Sequence, residues 1–198
     1  MNLTKLTKVL FPTLALTFNT MSAYAVDWVV DSQQSQLNFI STKKISIAEI
    51  HEFKHLQGNY DSEGKFELDI DLSSVDTHNE VRDGRMKEFL FDVSTFTTAK
   101  ITAQIAPEDI DAIAQGASQR FTIDAMLDLH GVTKPLSLDV IVTRLVGAKL
   151  SVVSVKPVII SADDYALESG INKLMELAAL PSISHAVPVS FYLTLKLK

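Results

Sequence analysis

The chain has 198 residues, 18 basic against 24 acidic side chains, a net charge of −6 and no cysteine. An acidic chain without a basic cluster argues against nucleic acid or an anionic membrane surface as partner. The lack of Cys removes disulfide staples, thiol catalysis, thiolate metal sites and a lipid-bearing cysteine.

Residues 1–25 read as a secretory signal peptide. Lys5 and Lys8 precede an apolar core from Val9 to Phe18, interrupted by Pro12, and Ala23-Tyr24-Ala25 forms a small-x-small cleavage site. The core is short of the roughly 20 apolar residues that a spanning helix needs. The expectation is an exported chain of one domain over 26–198, with no membrane span after cleavage.

Trp28–Phe39 opens as a strand, breaks at the polar Ser32–Ser35 and resumes at Leu37. Ile45–Gln57 is strand-like with a mixed period, and Asp61-Ser62-Glu63-Gly64 is a turn. Lys65–Leu72 is the cleanest strand, with Phe66, Leu68, Ile70 and Leu72 on one face and Lys65, Glu67, Asp69 and Asp71 on the other. Thr77-x-x-Glu80 has the form of a capping box opening a short helix, with Val81, Arg85 or Met86, and Phe89 inward. Lys100–Ala106 is a strand, and Pro107–Ser118 is a loop or one helical turn.

Phe121–Val142 then gives two long alternating runs. Phe121, Ile123, Ala125, Leu127 and Leu129 face one way in the first run; Leu136, Leu138, Val140 and Val142 follow in the second. His130-Gly131 and Lys134-Pro135 bracket the turn, with the strand restarting at Pro135. Lys149–Ile160 is a further strand marked by Pro157. In Asp163–Leu180 the period changes: Ile171, Leu174, Met175 and Ala178 share a helix face, and Ser169 can cap. Val187–Leu197 closes the chain as a strand. Seven or eight one-sided strands with two short helices make a mainly β domain, a barrel or a sandwich.

Several segments resemble the YceI-like, polyisoprenoid-binding periplasmic proteins. They are Val30-Asp31-x-x-Gln34-Ser35-x-Leu37-x-Phe39, Gly58-Asn59-Tyr60 with Gly64, and Asp71-Leu72-Ser73-Ser74-Val75-Asp76-Thr77 followed by Arg82-Asp83, Met86, Phe89 and Phe91-Asp92-Val93. The most specific is Leu127-x-Leu129-His130-Gly131-Val132-Thr133-Lys134-Pro135-Leu136-x-Leu138. The resemblance spans about Val30 to Val140; Gln34 stands where His is commoner, and Asp163–Leu180 departs from the shorter family segment. It implies a lipocalin-like antiparallel β-barrel of about eight strands around an elongated apolar cavity. A polyisoprenoid lipid or isoprenoid quinone would be bound there for storage or transport, without catalysis and without a cofactor.

The inward set is then the candidate ligand surface: Phe39, Phe66, Leu68, Ile70, Phe121, Ile123, Leu127, Leu138, Phe191 and Leu193. The residues by themselves favour a core filled with side chains, hence a solid interaction module; the resemblance favours a cavity. Arg82 is the polar candidate. It can meet a head group at the barrel mouth, or with Asp83 tie the short helix to the rim, which is the preferred reading. His51-Glu52-Phe53-Lys54-His55 spells the zinc-hydrolase motif H-E-x-x-H. In a strand, however, its two histidines lie about 13 Å apart and cannot share an ion held at about 2 Å. The segment Ser169–Leu180 has three readings: a lid over the mouth, a homodimer contact, or a plug completing the core, the last preferred.

Overall fold

Alternating apolar residues turn into strands wherever one face can be buried and the other left in water. The computed structural model describes residues 27–198, so the expected signal segment and its expected cleavage site lie outside the described residues. The strands are β1 Trp28–Val30, β2 Gln36–Lys43, β3 Ile47–Phe53, β4 Leu56–Tyr60, β5 Lys65–Asp71 and β6 Val75–Asp76. They continue with β7 Thr98–Gln104, β8 Ser118–Leu129, β9 Val132–Leu145, β10 Lys149–Ser154, β11 Val158–Ser161 and β12 Ala186–Leu197.

β1 with β2, β3 with β4, β5 with β6, and β10 with β11 are halves of single runs, each interrupted by a kink. The eight runs form an antiparallel meander. β12 returns to pair with both halves of the first run, Trp28 opposite Leu197 and Phe39 opposite Val189, so the sheet closes. A closed sheet leaves no long edge to pair with another chain.

The kinks are built by short polar motifs. Asp31 Oδ1 accepts from Gln33 N at 3.2 Å over the 3-10 turn Ser32–Gln34. Ser35 Oγ donates to Asp31 O at 2.7 Å and accepts from Thr194 N at 3.0 Å. The device recurs where Asp71 Oδ1 accepts from Ser73 N at 2.8 Å, and Ser74 Oγ accepts from His55 N at 3.1 Å. Side-chain bonds of this kind offer the backbone an alternative to the ladder, so the strand bends there. This is the physical content of the Asp31–Ser35 and Asp71–Ser74 signatures.

The long hairpin differs from expectation at its turn. Only His130 (φ 53°) and Gly131 (φ 76°) are outside the strands, both left-handed, as a two-residue hairpin turn requires. The strand restarts at Val132, and Pro135 lies within β9 opposite Met126. There only β8 flanks β9, because pairing with β10 begins at Val140, so the missing N–H of proline can face the unpaired side.

The first helix also corrects the reading. α1 runs Glu80–Arg85 and is capped by Asn79, whose Oδ1 accepts from Arg82 N at 3.0 Å. Thr77 does not cap; its N–H and hydroxyl both donate to Asp83 Oδ1, at 2.9 and 2.5 Å. The chain continues from α1 into a π-helical turn, Met86–Leu90. The wider turn shifts the buried face, so Met86 is inside and Val81 is 64% exposed rather than inward.

α2, Pro107–Asp111, is the single helical turn, and its buried Ile110 covers one barrel end. α3 spans Glu168–Leu177 after Leu167; Ser169 sits inside its first turn and does not cap it. α3 lies on the π-turn at the opposite end. A Cβ on Gly170 would stand 2.5 Å from Phe89 O and 2.7 Å from Leu90 Cα, so the two backbones touch. Among the described residues no helix is long and apolar enough to cross a membrane.

Candidate functional site

Pleat parity sends one residue in two to the barrel interior. There the inward side chains leave three spaces in a row. The central one is a cavity of about 140 Å³ whose walls are entirely apolar, from Leu37 and Phe53 through Ala99 and Leu127 to Ile160 and Val189. A smaller space of about 60 Å³ lies toward α2, beside Tyr60 and Ile110. Ile101, Leu138 and Phe191 border both and form the partition between them. At the other end a mouth of about 400 Å³ opens between β2, β3, α1 with its π-turn, and α3. Phe39, Leu90, Ile171 and Val187 border both the mouth and the central cavity.

Of the candidate ligand residues, Phe39, Ile70, Leu127, Leu138 and Phe191 wall the central cavity. Phe66, Leu68, Ile123 and Leu193 wall the smaller one, and Arg82 stands at the mouth. Phe121, opposite Val140, packs half-buried against the core and lines none of the three. Beyond further strand residues such as Leu37, Phe53 and Ala99, the closing helices add residues that the strand pattern does not reach: Leu90 and Phe91 at the π-turn, Leu167 and Ile171 at α3. Ile171 carried a signal, the i, i+3, i+4 spacing of its helix. Leu90 and Phe91 carried none, because an ordinary helical period places them wrongly.

The polar groups of the mouth gather on one wall. Arg82 Nη1 donates to Glu49 Oε2 at 2.8 Å and Nη2 donates to Thr77 O at 2.6 Å. Lys43 Nζ meets the same Glu49 oxygen at 2.7 Å. The bond from Lys43, with the charge of Arg82, holds the Glu49 carboxyl below the usual carboxylate range. Arg82 and Asp83 together therefore tie α1 to the rim, as the preferred reading had it, while the Arg82 side chain also borders the mouth.

His51 is 2% exposed, with its ring edge-on to Phe39 at 5.2 Å and Nε2 3.0 Å from Ser41 Oγ. Burial, then the charge of Arg82, pushes its pKa below that of an ordinary histidine. The unfolded chain, titrating near 6.5, takes up a proton that the folded interior refuses. His51 thus contributes stability above that value, which is lost as pH falls from about 6.5 toward the lower folded pKa. The difference in unfolding free energy between wild type and His51→Phe is expected to shrink over that window in a denaturant series at several pH values. A pH-independent difference would mean that the fold does not lower the His51 pKa.

The H-E-x-x-H residues do not converge. His51 faces the mouth. Glu52 Oε2 accepts from Gln36 Nε2 at 2.7 Å, and the His55 side chain is 70% exposed, 3.4 Å from Asp71 Oδ2. Among the described residues no group of three His, Cys, Asp or Glu side chains is placed to hold a metal.

The family model described as the YceI-like domain matches residues 28–195. A solved polyisoprenoid binding domain from Saccharophagus degradans, implicated in plant cell wall breakdown, is 37% identical with a TM-score of 0.84; the match covers 86% of this chain and 98% of that one. Burkholderia cenocepacia BcnA is 17% identical over 83% of this chain and 98% of its own, with a TM-score of 0.62. A Campylobacter jejuni YCEI protein is 15% identical over 75% and 84%, with a TM-score of 0.51. The last two share the fold. No curated protein sequence matches.

Proposed function

The chain belongs to the YceI-like family, and from that premise we propose that it is a non-catalytic carrier of a polyisoprenoid lipid or isoprenoid quinone, stored or moved through the periplasm. The observation that carries this reading is the central cavity, walled only by apolar side chains and joined through Phe39, Leu90, Ile171 and Val187 to a wider mouth. The solved domain of S. degradans, whose name states polyisoprenoid binding, supports the same ligand class.

The mechanism is exclusion of water. Each buried methylene contributes about 0.8 kcal/mol, so a few isoprene units bind without any polar contact. A cavity of about 140 Å³ is close to the engineered protein cavity of about 150 Å³ that accepts benzene. A ligand longer than one ring therefore needs the partition of Ile101, Leu138 and Phe191 to rotate aside, or the lid of α3 and the π-turn to lift.

The test is mass spectrometry of protein purified from a periplasmic extract of its native host, before and after mild organic extraction. A bound isoprenoid lost on extraction is expected. Repeated preparations with no lipid, or with the chain retained in the cytoplasm, would contradict the carrier role.

A further inference from the structure

Two polar atoms at the mouth lack partners. His51 Nδ1 and Arg82 Nε are buried, and among the described residues nothing hydrogen-bonds either one. Both side chains border the same space. An unpaired buried polar atom is costly and calls for an explanation, and two of them beside one open space are explained together by a bound acceptor.

The remaining valences define what that is. Arg82 has already committed Nη1 to Glu49 and Nη2 to the Thr77 carbonyl, so Nε is its one nitrogen without a partner. His51 is neutral, and one ring nitrogen faces Ser41 Oγ. When the Ser41 hydroxyl donates to Nε2, the ring proton sits on Nδ1, and the mouth presents two single donors. Two single donors suit one acceptor oxygen. They do not suit a phosphate, which favours the paired fork of an arginine; both ends of the Arg82 fork are already bonded to Glu49 and Thr77. The facing wall, with Leu174, Ala178 and Ile183, is apolar and suits a flat ring.

We propose that His51 Nδ1–H and Arg82 Nε–H form a two-donor clasp for a neutral carbonyl oxygen on the head ring of the ligand, as in a quinone. The clasp rests on the carrier reading: the tail lies in the apolar cavity and the head stops at the mouth. The charged groups around it are Lys43, Glu49, Arg82, Asp83 and Arg85 from β2, β3 and α1; α3 contributes none to the mouth.

The test uses residues 26–198 purified and delipidated. Titrations compare a short-tailed menaquinone, the isoprenoid alcohol with the same tail, its monophosphate and the matching head-less hydrocarbon. The quinone is expected to bind about tenfold more tightly than the alcohol or the hydrocarbon, the effect of about one well-made hydrogen bond. His51→Phe, which keeps a ring against Phe39, is expected to remove that advantage and leave hydrocarbon binding unchanged. Ser41→Ala, which frees the tautomer, is expected to weaken the quinone in the same sense. The infrared carbonyl stretch of bound quinone is expected at lower frequency in wild type than in His51→Phe. Tightest binding of the monophosphate, equal binding of quinone and alcohol, or the same loss for hydrocarbon and quinone in the variants would each overturn the clasp. Binding of the hydrocarbon without preference for any head removes the clasp and keeps the carrier; no binding of any tail removes both.

Discussion

Replacing Ala99 with phenylalanine is expected to weaken an isoprenoid ligand about 100-fold while the barrel stays folded. Ala99 is buried on β7 and lines the central cavity. The space it faces, about 140 Å³, is near that which holds one benzene ring, and Ala99→Phe delivers such a ring covalently. The ligand then forfeits roughly four buried methylene equivalents, about 3 kcal/mol, or a factor near 100 in Kd. The fold gains apolar burial and carries some overpacking, so stability is expected to change by no more than about 1 kcal/mol. Titration with a long-tailed quinone, beside thermal unfolding of the delipidated protein, separates the two effects. Undiminished affinity in a folded Ala99→Phe protein would place the tail outside the barrel.

The second large effect is expected at Gly170→Val. The atoms an added Cβ would meet, Phe89 O at 2.5 Å and Leu90 Cα at 2.7 Å, belong to the backbone and cannot rotate away. Either α3 lifts from the π-turn or the π-turn shifts, at a cost of about 2–3 kcal/mol. For a domain of this size that is a fall in Tm of roughly 5–10 °C. Ile171, the next residue, and Leu90, part of the contact, both border the cavity and the mouth. Lifting α3 therefore opens the lid, and ligand dissociation is expected to quicken along with the loss of stability. An unchanged Tm with unchanged dissociation would mean that the two helices do not cross in contact at Gly170.

The barrel wall was legible because period two is unambiguous where one face is wet. Lys65–Asp71 alternates without exception, and its inward residues Leu68 and Ile70 are buried at 2% and 5% exposure. The closing end was harder, for physical reasons. Thr77 and Asn79 are both good caps two residues apart; Asp83 captures Thr77, and Asn79 caps instead. A π-turn then breaks the helical period, so that Val81 is left largely exposed at the mouth while Leu90 borders the cavity. His51 was conspicuous only as half of a zinc motif. Its neighbours Ser41 and Arg82 come from other segments, and pairing of β2 with β3 and the docking of α1 bring them together. Local patterns find walls; they do not find a mouth assembled from segments far apart in the chain.

The most direct measurement is affinity against tail length, in a homologous series of ubiquinones differing only in the number of isoprene units, with delipidated residues 26–198. If the tail is held by exclusion of water inside the barrel, Kd falls by at least about tenfold with each early unit and levels off once the interior is full. A Kd indifferent to tail length would contradict it, however tightly the head ring binds.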